Sequence, residues 1–112
     1  MKRIGILTSS RADYGIYRPL LKALKADGTF QPELLVFGTH LSEKHGYTRK
    51  QVEADNLAVL RDIPAIPDSD TPAGIAFTMG DTMQQFAKFW EHSGKAYELI
   101  LALGDRYEMF AA

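Results

Sequence analysis

Ile4-Gly5-Ile6-Leu7-Thr8-Ser9-Ser10-Arg11-Ala12-Asp13-Tyr14-Gly15-Ile16-Tyr17-Arg18-Pro19-Leu20-Leu21 decides the fold. Its first five residues form a largely apolar run of strand length, and Tyr17, Leu20, Leu21 and Leu24 then recur at helical spacing. The order is therefore strand, loop, helix. A helix tolerates proline near its first turn, where the missing N–H costs little, so Pro19 predicts a helix core that begins close to Ile16. Asp27-Gly28 ends it.

The alternation continues along the chain. Leu34-Leu35-Val36-Phe37, after Pro32 and closed by Gly38, reads as a second buried strand. Thr48 and Gln51 stand at capping-box spacing and open a short helix through Val52 to about Asp55. A third strand is predicted over residues 62–66, interrupted by Pro64. Pro67-Asp68-Ser69-Asp70-Thr71-Pro72 is a loop in which Asp68 and Asp70 cap and solvate a turn; its end supplies an N-cap threonine and a proline at the first helical position. In the long helix that follows, to about Ser93 with Gly94 as its stop, Ile75, Met79, Met83, Phe86 and Trp90 mark a buried stripe, which is core and not a cofactor box. Residues 99–103 give a fourth strand, and residues 107–112 the first turns of a further helix.

Such alternation predicts an α/β fold: a doubly wound parallel sheet with right-handed crossovers, a partial Rossmann-like domain. With the strand order 3-2-1-4, the switch point lies between the first and fourth strands, and ligands bind beyond their carboxyl ends. The loops of residues 9–15 and 104–108 then face each other across a crevice. They carry Arg11, Asp13, Asp105, Arg106 and Glu108.

Composition narrows the function classes. The 112 residues fit one core, and 46% hydrophobic with 24% charged content is globular. Thirteen basic against fourteen acidic side chains give a net charge of −1, so there is no bulk electrostatic footprint for nucleic acid or an anionic membrane. Charge is nonetheless uneven: residues 1–56 hold nine basic and six acidic groups, residues 57–112 four and eight. With no cysteine there is no disulfide or thiolate chemistry. The N-terminal apolar run is too short for a signal peptide or membrane span, and a cytoplasmic protein is the expectation.

Each candidate residue has a structural alternative. Arg11 and Arg106 can clamp an anion, since guanidinium presents a planar fork of donors, and helix starts after both loops would add N–H groups; alternatively they are solvated or pair with Asp13 and Asp105. Asp105 and Glu108 can serve proton transfer, or act as an N-cap and a first-turn acid that complements the helix dipole. Asp13 carries the same two readings. His40, Glu43 and His45 lack helical i, i+4 geometry and a fourth ligand, so no metal is expected there. Neither the P-loop nor the dinucleotide glycine fingerprint follows the first strand.

Ser10-Arg11-Ala12-Asp13-Tyr14-Gly15, Gly38-Thr39-His40-Leu41, Asp68-Ser69-Asp70-Thr71-Pro72 and Gly104-Asp105-Arg106-Tyr107-Glu108-Met109, in that order, closely resemble the N-terminal part of the UDP-N-acetylglucosamine 2-epimerases. The hydrolysing branch that makes N-acetylmannosamine for sialic-acid synthesis is nearest, because its non-hydrolysing relatives typically carry threonine after the aspartate of Gly104-Asp105-Arg106. The resemblance implies the two-domain glycosyltransferase B architecture, with residues 1–112 forming the N-terminal part of the first domain and the second domain outside this chain. It implies elimination of UDP across C1 and C2 to 2-acetamidoglucal, then addition of water. Arg11 and Arg106 would contact UDP, with Ala12 and Asp13 lining the same loop. Asp105 would be an acid/base residue, Glu108 a second carboxylate, and His40 would border the sugar pocket. No metal, nicotinamide or flavin is implied, and a homo-oligomeric full-length enzyme is expected. These residues alone are not expected to turn over substrate.

Three rival readings remain at this point: another nucleotide-sugar enzyme of the same architecture, either a glycosyltransferase or a 2-epimerase for a diacetamido sugar of the legionaminic-acid type; a receiver-like signalling module; and a non-catalytic fragment that associates through its fourth strand. A receiver needs an acidic pair after the first strand, where Ser9-Ser10-Arg11 stands.

Overall fold

The computed structural model describes residues 2–42, 48–67, 69–93, 96–104 and 107–112, with Tyr107 and Glu108 as backbone only. Strands β1 (Lys2–Thr8), β2 (Phe30–Val36), β3 (Val59–Asp62) and β4 (Leu99–Leu101) form one parallel sheet in the order β3-β2-β1-β4. Helices α1 (Arg11–Asp27), α2 (Arg49–Asp55), α3 (Pro72–Ser93) and α4 (Tyr107–Ala111) complete it, with a 3₁₀ turn at Gly38–Leu41. Strand alternation divides the core. Ile4, Ile6, Leu34 and Val36 pack with Tyr14, Tyr17, Leu21 and Val52 of α1 and α2. Leu7, Leu35 and Phe37 pack on the opposite face with Ile63, Ala65, Phe86 and Met109. Progression reverses after β3, and the covering helix changes face with it, as a single crossover handedness requires. The expected doubly wound α/β sheet is present, and its order excludes the receiver reading, in which the third strand would lie beside the first.

Several boundaries differ from the sequence expectations. Helix α1 begins at Arg11, with Pro19 in its interior. Ser10 and Asp13 form a reciprocal capping box that starts the helix early, and Pro19 and Gly15, the ends of the missing i→i−4 bond, are both exposed, so water serves the orphan carbonyl. Strand β2 runs back through Pro32, which pairs with Ile4; the β3 side is still free there because β3 begins opposite Glu33. Strand β3 precedes the predicted span, and Ile63 and Ala65 beyond it drop into the α3-side core. Strand β4 ends at Leu101.

Helix α2 has the expected extent, but Thr48 makes no side-chain cap. At α3, Thr71 does cap, its Oγ1 accepting from the Gly74 N–H at 3.0 Å. The buried stripe of α3 is Gly74, Thr78, Thr82 and Phe86; Phe86 is as predicted, and the other three each stand one residue before the predicted Ile75, Met79 and Met83. Ile75, Met79 and Trp90 are half-buried, and Met83 is 52% exposed. The Thr78 and Thr82 hydroxyls bond back to the i−4 carbonyls of Gly74 and Thr78, which satisfies them in the buried stripe, and Gly74 lies so close to Ser69 that a Cβ would overlap its Oγ. Gly94 and Asp68 lie outside the described residues, and Asp70 is exposed.

Candidate functional site

At the carboxyl ends of β1 and β4, Ser9, Ser10, Ala12, Asp13 and Ile16 face Leu103, Gly104 and Met109 across a pocket of about 190 Å³. This is the switch-point crevice. Its first wall is the start of α1 and not a free loop. Asp13 Oδ2 accepts from the Ser9 N–H (3.0 Å), Ser9 Oγ (3.0 Å) and the Ser10 N–H (3.2 Å), while Oδ1 accepts from the Thr8 hydroxyl. The Asp13 N–H returns to Ser10 Oγ at 3.5 Å. The box consumes the N–H groups of Ser10 and Asp13 and leaves those of Arg11 and Ala12 as the first-turn donors without a partner among the described residues. In the opposite wall, Gly104 has φ +91°, which turns the chain sharply out of β4 in a conformation that side chains resist.

Beside this wall, Gly38 (φ +66°) follows β2 where a Cβ would stand 2.8 Å from the Ser9 carbonyl oxygen. That approach lets the Thr39 N–H and Oγ1 both donate to Ser9 O at 2.9 Å, stitching the second strand end to the first. His40 is then fully buried behind the crevice and is not part of its lining. Its Nε2 lies 2.8 Å from Thr8 Oγ1 and its Nδ1 2.8 Å from Thr48 Oγ1. Burial lowers the His40 pKa, opposed by the Asp13 carboxylate and a backbone hydrogen bond at Ser10. The neutral ring is the favoured state.

The structure thus brings Ala12 and Asp13 into the pocket. Arg11 is exposed and lines a neighbouring cleft of about 520 Å³ between α1 and α2, with Tyr14, Gly15, Arg18, Gln51, Ala54 and Asp55. No ion pair joins Arg11 to Asp13 among the described residues. In that cleft Asp55 accepts from Tyr14 Oη at 2.6 Å and ion-pairs with Arg18, whose Nε lies 3.2 Å from Oδ2, and burial followed by the Asp55 hydrogen bond pushes the Tyr14 phenol up. Asp105, Arg106, Glu43 and His45, together with the side chain of Glu108, lie outside the described residues. Among the described residues no acidic and imidazole groups cluster as metal ligands. Sequence reasoning missed Thr8 and Thr48, whose hydroxyls complete the His40 environment; nothing in their spacing signals it.

A groove of about 420 Å³ at the other end of the sheet, lined by Lys25, Phe30, Pro32, Leu57 and Val59 among others, is larger than the crevice. Volume does not select between them. The family model described as UDP-N-acetylglucosamine 2-epimerase matches residues 22–112. The chain belongs to the UDP-N-acetylglucosamine 2-epimerase family. Ser10, Ala12 and Asp13 of the first resembling motif and Gly104 and Met109 of the last line the crevice at the strand switch point.

Curated relatives carry the match over the whole chain. Polysialic acid biosynthesis protein P7 of Escherichia coli is 33% identical over 99% of this chain and 28% of its own length. A hydrolysing UDP-N,N'-diacetylbacillosamine 2-epimerase of Legionella pneumophila is 30% identical over 100% of this chain and 29% of its own length. UDP-N-acetylglucosamine 2-epimerase of Neisseria meningitidis is 38% identical over 50% of this chain and 15% of its own. The chain spans under a third of the length of these relatives. No helix among the described residues is long and apolar enough to cross a membrane.

Proposed function

We propose that this chain forms one wall of the nucleotide-sugar site of a hydrolysing UDP-N-acetylglucosamine 2-epimerase, as the N-terminal part of the first of two Rossmann-like domains. The observation that carries this reading is the pocket between the first turn of α1 and Gly104, at the switch point of a sheet whose sequence belongs to this family. The free N–H groups of Arg11 and Ala12, at the positive end of a 17-residue helix, suit the UDP diphosphate. Arg11 has no ion pair among the described residues, and its exposed side chain can turn from the α1/α2 cleft toward that diphosphate; Arg106 contributes a second guanidinium.

The chemistry is the loss of the C2 proton and of UDP from C1, giving 2-acetamidoglucal, followed by addition of water. No carbonyl adjoins C2, so a carboxylate must move the proton while the departing diphosphate is stabilised. Asp105 fills the acid/base role, and Glu108, three residues on, is the second carboxylate of the same motif. The reading includes a cytoplasmic, homo-oligomeric protein. It predicts that the full-length product of the gene encoding this chain releases UDP and N-acetylmannosamine from UDP-N-acetylglucosamine; no UDP release from any UDP-sugar would overturn it.

A second reading takes a UDP-diacetamido sugar as substrate. It is favoured by the Legionella pneumophila relative, which matches the whole chain, where the relative named for UDP-N-acetylglucosamine matches half. Product analysis with both sugars separates the two.

A further inference from the structure

Behind the crevice, side chains form an unbroken line across four segments, with its two middle members buried: Thr48 at the start of α2, His40 after β2, Thr8 at the end of β1, and Asp13 in the first turn of α1. The direction of each hydrogen bond follows from what each group can do. The Asp13 carboxylate only accepts, so the single Thr8 proton goes to Oδ1. Thr8 Oγ1 must then accept from His40, which places a proton on Nε2. A neutral ring so protonated has a bare Nδ1, and the Thr48 hydroxyl donates to it. Every member is satisfied, and every proton points toward Asp13. The edge of the His40 ring relationship is closed by Tyr14, T-shaped to it with centroids 6.3 Å apart.

We propose that His40, held as its Nε2–H tautomer between Thr48 and Thr8, is a positioning residue that fixes Asp13 and so presents the Arg11 and Ala12 N–H groups to the crevice. It touches no ligand. Its role in binding rests on the reading of the crevice as a nucleotide-sugar site, whereas its role in ordering the first turn of α1 stands apart from that reading. Asp13 gathers the Ser9 and Ser10 N–H groups into the helix start. Loss of the bond that orients Thr8 frees its hydroxyl to rotate away from Asp13. The two N-terminal helix starts, α1 and α2, are coupled through the same ring.

The test uses the full-length gene product with His40→Phe, which keeps ring volume but offers no donor, and His40→Gln, whose amide can replace the Nε2–H. Hydrogen exchange of residues 9–13 should be at least about tenfold faster in the folded Phe variant and near wild type in the Gln variant, by analogy with loss of about 1.4 kcal/mol of local stability. UDP affinity should fall about tenfold in the Phe variant and recover in the Gln variant. Nitrogen-15 ring shifts in the wild type should report a protonated Nε2 and a bare Nδ1. Unchanged exchange in a folded Phe variant, or the opposite tautomer, overturns the proposal. If wild-type protein binds no UDP while exchange and tautomer behave as stated, the function reading fails and the positioning role survives.

Discussion

The ring of Phe86 meets that of Phe37 edge-on, with centroids 4.8 Å apart, and both are fully buried. This contact joins α3 to the end of β2. Phe86→Ala should therefore cost about 3–5 kcal/mol in urea unfolding, from lost burial plus a cavity. Met83→Gln, on the exposed side of the same helix, should change stability by no more than about 0.5 kcal/mol. A reversed ranking would place Met83, and not Phe86, in the core.

Pro19 sits in the interior of α1 and removes one ladder bond on the solvent side. Pro19→Ala returns an N–H aimed at the Gly15 carbonyl. Helix propensity favours alanine by about 3 kcal/mol, part of which is offset by the greater freedom of the unfolded chain. Thermal unfolding should show a net gain of about 1 kcal/mol. A loss would mean that the helix is not continuous through this position.

Glu33 lies at the other end of the sheet, fully buried on the α3 face. Arg3 Nε donates to its Oε2, and Arg61 Nε (3.2 Å) and Tyr97 Oη (2.9 Å) donate to Oε1. Burial alone would raise its pKa, but the bonds from Arg3 and Tyr97 and the charges of Arg3 and Arg61 outweigh it and hold the carboxyl below its ordinary 4.5. A depressed folded-state value stabilises the fold above the unfolded value, and that contribution fades as pH falls through the folded one. Glu33→Gln should lose about 2–3 kcal/mol at pH 7, with the gap to wild type closing below pH 4.5. A gap that is constant with pH would remove the charge from the account.

In the full-length gene product, Arg11→Ala and Asp105→Asn should each abolish turnover, below about 1% of wild type, while leaving the unfolding midpoint nearly unchanged. The two variants differ in binding. Arg11→Ala should weaken UDP affinity, whereas Asp105→Asn should leave it close to wild type. Near-normal turnover in either would remove that residue from the site.

Strand count and helix count were legible, because apolar runs bounded by Gly38 and Gly104 leave few alternatives for a parallel sheet; the strand order was an assumption of the doubly wound fold, and the place of the crevice followed from that assumption. Boundaries were less so. The Ser10/Asp13 box was hidden by Pro19, whose usual placement outweighed a valid local start signal. Thr48 and Gln51 have the spacing of a box, yet the Thr48 hydroxyl is spent on His40, a contact between residues that only the fold brings together. The α3 stripe was legible at Phe86 and misread before it, because the buried positions there are small or polar, Gly74 against Ser69 and then Thr78 and Thr82, and hydrophobicity alone points to Met79 and Met83. At the site, residue types pointed to Arg11 and Asp13 and the family resemblance to Ala12, but side-chain direction, with Arg11 in the α1/α2 cleft, is set by tertiary packing.

The central claim is that the diphosphate of UDP lies between the start of α1 and the end of β4. Hydrogen–deuterium exchange of the full-length gene product with and without saturating UDP tests it most directly. Protection is expected in peptides covering residues 9–16 and 103–109, with little change at residues 25–32. Protection confined to residues 25–32 and 56–59, which line the groove at the opposite end of the sheet, would contradict it.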